Sequence, residues 1–136
     1  MTRGVIDTSN VREISLTDSE YETHKIQKDD LIFIRVNGSR GRVANAYLYS
    51  ESDEVSYCDH LFCGHRISNS VEPAFIMMVY TSEMVKRQID PMIKTTAGQN
   101  TISQGNMGKI VIPLPPQEEQ KRIVRKVNEL LTALPE

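Results

Sequence analysis

The chain has 136 residues, 39% apolar and 25% charged, with a formal net charge of −2. That length holds one domain able to bury a core without disulfides or a structural metal, and the acidic excess argues against indiscriminate nucleic-acid binding. No apolar run reaches the roughly 18–20 residues that span a bilayer, the first residues lack a signal-peptide core, and two cysteines do not make a disulfide scaffold, so the expected location is the cytoplasm with both thiols reduced.

Residues 5–16 alternate loosely between apolar and polar, which predicts a short strand over 11–16. Residues 18–25 are polar and read as a turn or a short helix. The run 31–36, Leu-Ile-Phe-Ile-Arg-Val, follows the turn-forming Lys28-Asp29-Asp30 and predicts a strand. It enters Asn37-Gly38-Ser39-Arg40-Gly41, a loop with two glycines, after which residues 42–49 resume as a strand in a hairpin-like pair. Residues 56–67 read as a further strand region, interrupted near Cys63-Gly64.

The character then changes to helix. Proline is tolerated where the amide has no helical partner, so Glu72-Pro73 marks a helix start. Residues 75–80 are apolar almost all round and so belong in the interior. Ser82 is placed to cap a second short helix, which Asp90-Pro91 stops near 89. A polar, glycine-spaced loop covers 95–108, and 109–114 predicts a short strand ended by Pro115-Pro116.

The last element is the clearest helix. Pro116 sits at its start, Glu118 and Glu119 lie where the helix dipole favours anions, and Ile123, Val124, Val127, Leu130, Leu131 and Leu134 recur on one face. Gln120, Ile123, Val127, Leu130 and Leu134 also fit an a/d heptad seam, with Lys121, Arg122, Arg125 and Lys126 outside it. Two heptads leave two readings open: a terminal helix folded onto its own domain, or one strand of a coiled coil. The expected architecture is α+β, a twisted and mostly antiparallel sheet with short packed helices and a projecting C-terminal helix. Residues 1–116 are expected to form the domain and 117–136 to start a coiled-coil helix.

Charge is distributed unevenly. Residues 31–50 contain Arg35, Arg40 and Arg42 and no acid, and residues 91–117 contain Lys94 and Lys109 and no acid. The carboxylates crowd at Asp18, Glu20, Glu22, Asp29 and Asp30, then at Glu51, Asp53 and Glu54. Were the two acid-free stretches to meet on one surface, that surface would be locally positive.

Several segments together resemble a known family. They are Thr96-Ala97-Gly98-Gln99-Asn100-Thr101-Ile102-Ser103, Ile110-Val111-Ile112-Pro113-Leu114-Pro115-Pro116, and Glu119-Gln120-Lys121-Arg122-Ile123-Val124. In this order they resemble the close of a target-recognition domain in type I restriction–modification specificity subunits. Upstream, residues 30–39 with Gly41-Arg42-Val43-Ala44 resemble the strand–loop–strand of that family, and Tyr57-Cys58-Asp59-His60-Leu61 sits where the family often has similar residues. The likeness covers roughly residues 5–130. Asp29 stands where glycine is common, and Gln117 replaces a usual leucine. Relative to the family pattern, the chain is expected to lack several dozen opening residues, a second recognition domain and the rest of the long helix.

The resemblance implies recognition of one half of a bipartite double-stranded DNA target. The implied partners are a methyltransferase subunit and a restriction subunit, with S-adenosylmethionine and ATP on those partners and no cofactor on this chain. Ile123, Val127, Leu130 and Leu134 would make the helix contact, with a partner or in a homodimer. The competing expectation is a truncated interaction fragment that self-associates through this helix and does not bind DNA.

For DNA contact the first candidates are Arg35, Asn37, Ser39, Arg40 and Arg42. Guanidinium groups pair with guanine edges or phosphates, Asn37 with an adenine edge, and a hydroxyl with phosphate. The plain alternative is a hairpin loop with solvated arginines. Lys94 and Lys109 suit phosphate. Gly98, Gln99, Asn100 and Ser103 are assigned to holding an irregular loop in place, because amide and hydroxyl side chains bond backbone groups. Cys58, His60, Cys63 and His65 offer four potential ligands within eight residues, but their spacing differs from the paired turns of structural zinc sites, so no metal is expected. No nucleophile elbow, phosphate-binding glycine loop or His-Glu-x-x-His pair is present, and the expectation is a protein without catalytic activity.

Overall fold

A computed structural model of the protein describes residues 6, 8, 11–66 and 68–134. Its first regular element starts at Thr17, whose hydroxyl accepts the Glu20 amide while the Glu20 carboxylate accepts the Thr17 amide at 2.8 Å. This capping box satisfies two N–H groups that a helix start leaves open, and a helix, α1 (Asp18–His24), forms where turn and helix were both open. The hydrogen bonds from the Thr17 amide and hydroxyl hold the Glu20 carboxyl below the usual glutamate range. Because the folded-state value is the lowered one, the box supports α1 above the ordinary glutamate range and fades as pH falls through the lowered value. A carboxyl NMR titration of Thr17→Val is expected to return the Glu20 midpoint upward; an unmoved midpoint would remove the box as its cause.

Residues 11–16, expected as a strand, have no ladder partner among the described residues, and Val11 and Ile14 are exposed. Alternation makes a strand only where a partner edge and a face to bury are at hand. Part of the alternating stretch (residues 5, 7, 9 and 10) lies outside the described residues, as does residue 67 at the end of the expected 56–67 strand.

The strand expected over 31–36 is divided. β1 (Leu31–Ile34) is the centre of an antiparallel sheet, between β3 (Ala46–Leu48) and β4 (Leu61–Gly64). At the next two residues the amides of Arg35 and Val36 both donate to His60 O, at 2.9 and 3.2 Å. Two residues facing one is the geometry of a bulge, which bends the strand. The chain therefore leaves the first sheet and enters a second as β2 (Val36–Asn37), beside β6 (Gln99–Thr101) and β5 (Lys94–Thr96). The α+β class is as expected, with the sheet split into two small antiparallel ones.

Other boundaries shift for local reasons. The strand expected over 42–49 shortens to β3 because Arg40–Arg42 forms a 3-10 turn and Ala44 takes φ 62°, outside the extended region. The 56–67 region narrows to β4, since Cys58–Leu61 is a turn closed by the Leu61 amide on Cys58 O. Within the expected 95–108 loop, Thr96 and Gln99 are joined through Ala97 (φ 48°) and Gly98 (φ 80°). Positive φ at both central residues is the two-residue hairpin turn whose twist matches the flanking strands. α4 (Gln104–Met107) follows, with the Ser103 hydroxyl accepting the Asn106 amide. The strand expected over 109–114 has no ladder partner among the described residues. Instead the Gln88 side-chain amide bonds both the N–H and the C=O of Val111, at 2.9 Å each, standing in for a neighbouring strand.

The helices fall where capping residues place them. α2 (Pro73–Tyr80) opens on proline, and α3 (Glu83–Ile89) opens on Ser82, whose hydroxyl accepts the Val85 amide. Leu31, Phe33, Ala46, Phe75 and Ile76 form one buried cluster; Val43, Ala44, Val85, Ile89, Ile93 and Ile102 form another. Phe62, Val79, Tyr80, Met107 and Ile112 pack against both. α5 (Gln117–Ala133) lays Ile123 and Val124 on the first cluster, while Leu130, Leu131 and Leu134 stand exposed. No helix among the described residues is long and apolar enough to cross a membrane.

Candidate nucleic-acid interface

The two acid-free stretches meet at Asn100. Its side chain is buried, and its amide nitrogen donates to Asn37 O at 3.3 Å and Gly38 O at 2.9 Å. Its side-chain oxygen accepts the Thr95 hydroxyl at 2.7 Å. Asn37 in turn accepts the Ser39 amide on its side-chain oxygen at 2.8 Å, a local turn that asparagine favours. One buried amide thus ties the 37–42 loop to the β5–β6 hairpin, and β2 pairs with β6 beneath it.

Arg40 adds a third tether. Its Nε donates to Asp90 Oδ1 at 2.8 Å and its Nη2 to Asp90 O. The pair stands well exposed, so solvent screens its attraction, but two directional bonds hold the loop against the Asp90–Met92 turn. Beside it runs an open groove of about 470 Å³ between the 40–45 loop and α3, with Lys86 and Arg87 on its wall together with Glu83 and Asp90. Lys86 and Arg87 were not singled out from sequence. Helical spacing from the buried Val85 and Ile89 does put both on the outer face.

The remaining candidates are placed as follows. Arg42, Lys94 and Gln99 are exposed on the loop and hairpin. Gly98 makes the hairpin turn, and Ser103 caps α4. Lys109 is exposed just after α4 and makes no hydrogen bond or ion pair to the Asn100 cluster among the described residues. Arg35 sits at the bulge, half-buried, with its guanidinium 5.5 Å from the centroid of the Phe62 ring and Nη1 donating to Asp59 O at 3.0 Å. Its Nε is buried without a partner among the described residues.

The Cys/His run does not converge as one set. Cys58 and His60 lie with Asp59 on an exposed turn, whereas Cys63 and His65 converge on the buried carboxylate of Asp30. Burial, and after it the negative charge of Asp30, pushes the Cys63 thiol up to about 12, so at neutral pH it is protonated and is not an activated nucleophile.

A sheet whose central strand hands the chain to a second sheet, loops carrying exposed basic groups, and a terminal helix make up a small α+β module. The family model for the type I restriction modification DNA specificity domain matches residues 2–134, and the chain belongs to that family. It is 33% identical over 129 residues to the type I restriction enzyme EcoKI specificity subunit of Escherichia coli (strain K12), covering 93% of this chain and 28% of that protein. To the type I restriction enzyme StySPI specificity subunit of Salmonella potsdam it is 31% identical over 122 residues, 89% of this chain and 26% of that protein. The chain therefore spans about a quarter of the length of these relatives.

Proposed function

We propose that the chain reads one half of a bipartite DNA target and contributes no chemistry of its own. The observation that carries this reading is the joining of the 37–42 loop and the 94–101 hairpin through Asn100, which gathers the acid-poor segments onto one surface. On it Arg42 and Lys94 are exposed and suited to phosphate, while Gln99 and Ser39 suit base edges or sugar–phosphate oxygens. Arg40, held by Asp90, positions the loop, and Lys86 and Arg87 extend the basic surface along α3. A methyltransferase subunit and a restriction subunit are the partners, with S-adenosylmethionine and ATP on those subunits.

The test is fluorescence anisotropy with duplex libraries at two salt concentrations, alone and with the methyltransferase subunit of the same system. Each phosphate contact contributes close to one unit to the slope of log affinity against log salt. Arg42→Ala and Lys94→Ala are each expected to flatten that slope by about one and to weaken binding to all sequences alike. Arg40→Ala is expected to weaken binding by releasing the loop from Asp90. Binding that is absent with and without the partner, or unmoved by all three changes, would overturn the reading.

One observation supports a second reading for part of the chain. Leu130, Leu131 and Leu134 are exposed on the outer half of α5, with Val127 leading into them. This face is the docking edge for another specificity domain, for a methyltransferase subunit or for a second copy. A dimer insensitive to salt, with no DNA affinity, would favour an interaction fragment over a DNA reader.

A further inference from the structure

We propose that Asp30, Cys63 and His65 form a binding site for a single divalent transition metal ion of zinc's class. The register of the first sheet brings them together. Leu31 lies opposite Gly64 and Ile32 opposite Cys63, so Asp30 falls opposite His65. Side chains two apart on a strand share a face, which puts Asp30, Cys63 and His65 on one side, while a Cβ at the intervening Gly64 would meet the Phe33 ring at 3.1 Å on the other.

The distances suit a metal. Cys63 Sγ is 3.5 Å from Asp30 Oδ2, and His65 Nδ1 is 2.9 Å from the same oxygen. A tetrahedral zinc with bonds of about 2.3 Å to sulfur and about 2.0 Å to oxygen and nitrogen separates S from O by about 3.5 Å and N from O by about 3.3 Å. The sulfur already stands at that separation, and the imidazole needs to recede by a few tenths of an ångström. All three ligand atoms lie within 4.8 Å of one another.

The charge balance points the same way. Asp30 is 3% exposed, and His65 is the basic group within ion-pair distance of it among the described residues. Burying a carboxylate is costly unless a cation and hydrogen bonds compensate it. The Gln27 amide donates to Oδ2 at 2.6 Å and orients the carboxylate, as the outer partners of metal ligands do. A dication would neutralise the carboxylate and bind the Cys63 sulfur as thiolate, its proton leaving to solvent, with the His65 proton carried on Nε2. The fourth position would open to water on the side of the half-exposed His65. This site stands at the start of β1, on the other side of the Arg35 bulge from Asn37, and is independent of the DNA reading.

The test is titration of the full chain with cobalt(II), after chelator treatment and in a non-thiol reductant, followed by zinc competition. The expected result is a near-ultraviolet thiolate-to-cobalt charge-transfer band that saturates at one equivalent and is displaced by zinc. It is lost in Cys63→Ser, weakened more than about tenfold in His65→Ala, and retained in Cys58→Ser. His65 is partly exposed, so its variant decides the matter if Cys63→Ser fails to fold. No band at one equivalent, a band surviving in folded Cys63→Ser or undiminished in His65→Ala, or one lost in Cys58→Ser would overturn the assignment.

Discussion

Replacing Asn100 by alanine is expected to lower stability by about 2–3 kcal/mol and to weaken DNA binding by at least about tenfold. The side chain makes three hydrogen bonds from a buried position, two of them to the backbone carbonyls of the 37–38 loop. Alanine removes all three bonds at once, and each contributes about 0.5–1.5 kcal/mol. For a chain of this length the loss corresponds to a fall of roughly 7–10 °C in melting temperature. Scanning calorimetry and anisotropy on the same variant separate this positioning role from direct readout. Affinity that fell at unchanged melting temperature would instead make Asn100 a base-contacting residue.

Gln120→Ala is expected to be the other severe substitution, costing about 3 kcal/mol in thermal or urea unfolding. Gln120 is 1% exposed, and its amide joins three segments. The oxygen accepts the Glu72 amide at 2.9 Å, and the nitrogen donates to Ser70 O at 3.0 Å and Pro115 O at 2.7 Å. Glu72 is the N-cap of α2, so this bond satisfies an amide that the helix start leaves open and locks α5 to α2. Gln120→Leu restores most of the volume without the partners and should fall close to the alanine variant. Leu130→Gln, on the exposed end of the same helix, should stay within about 0.5 kcal/mol. A Gln120→Leu variant as stable as the parent would show that shape, and not the amide, anchors α5.

Gln120 places the first turns of the terminal helix on their own domain. On a heptad wheel it falls in line with Ile123, Val127, Leu130 and Leu134, yet its side chain enters its own domain, with Ile123 and Val124 packing behind it. The inner turns of α5 fold back on α2, and the outer turns carry an apolar face that is exposed among the described residues. Periodicity reports which residues share a stripe; it carries no information on what covers each part of it.

What the sequence determined by itself is what depends on neighbours within a turn or two. Pro73 and Ser82 placed the starts of α2 and α3, Asp90-Pro91 marked the end of α3, and the 3.6-residue recurrence marked α5, because capping and amphipathicity act over three or four residues. The run 31–34 was legible as a strand from its β-branched and aromatic content. Tertiary structure alone decided that this strand would break at Arg35, that 11–16 and 109–114 would find no ladder among the described residues, and that the Gln88 amide would serve Val111 as a substitute strand. It also decided the roles of the amides. Asn100 meets Asn37 across 63 residues, Gln120 meets Glu72 across 48, and Cys63 meets Asp30 across 33. A polar side chain read in isolation suits solvent, a turn or a binding surface equally well. Which of these it serves is set by the buried donors and acceptors that chain closure brings to it, and those are contributed by segments far away in sequence.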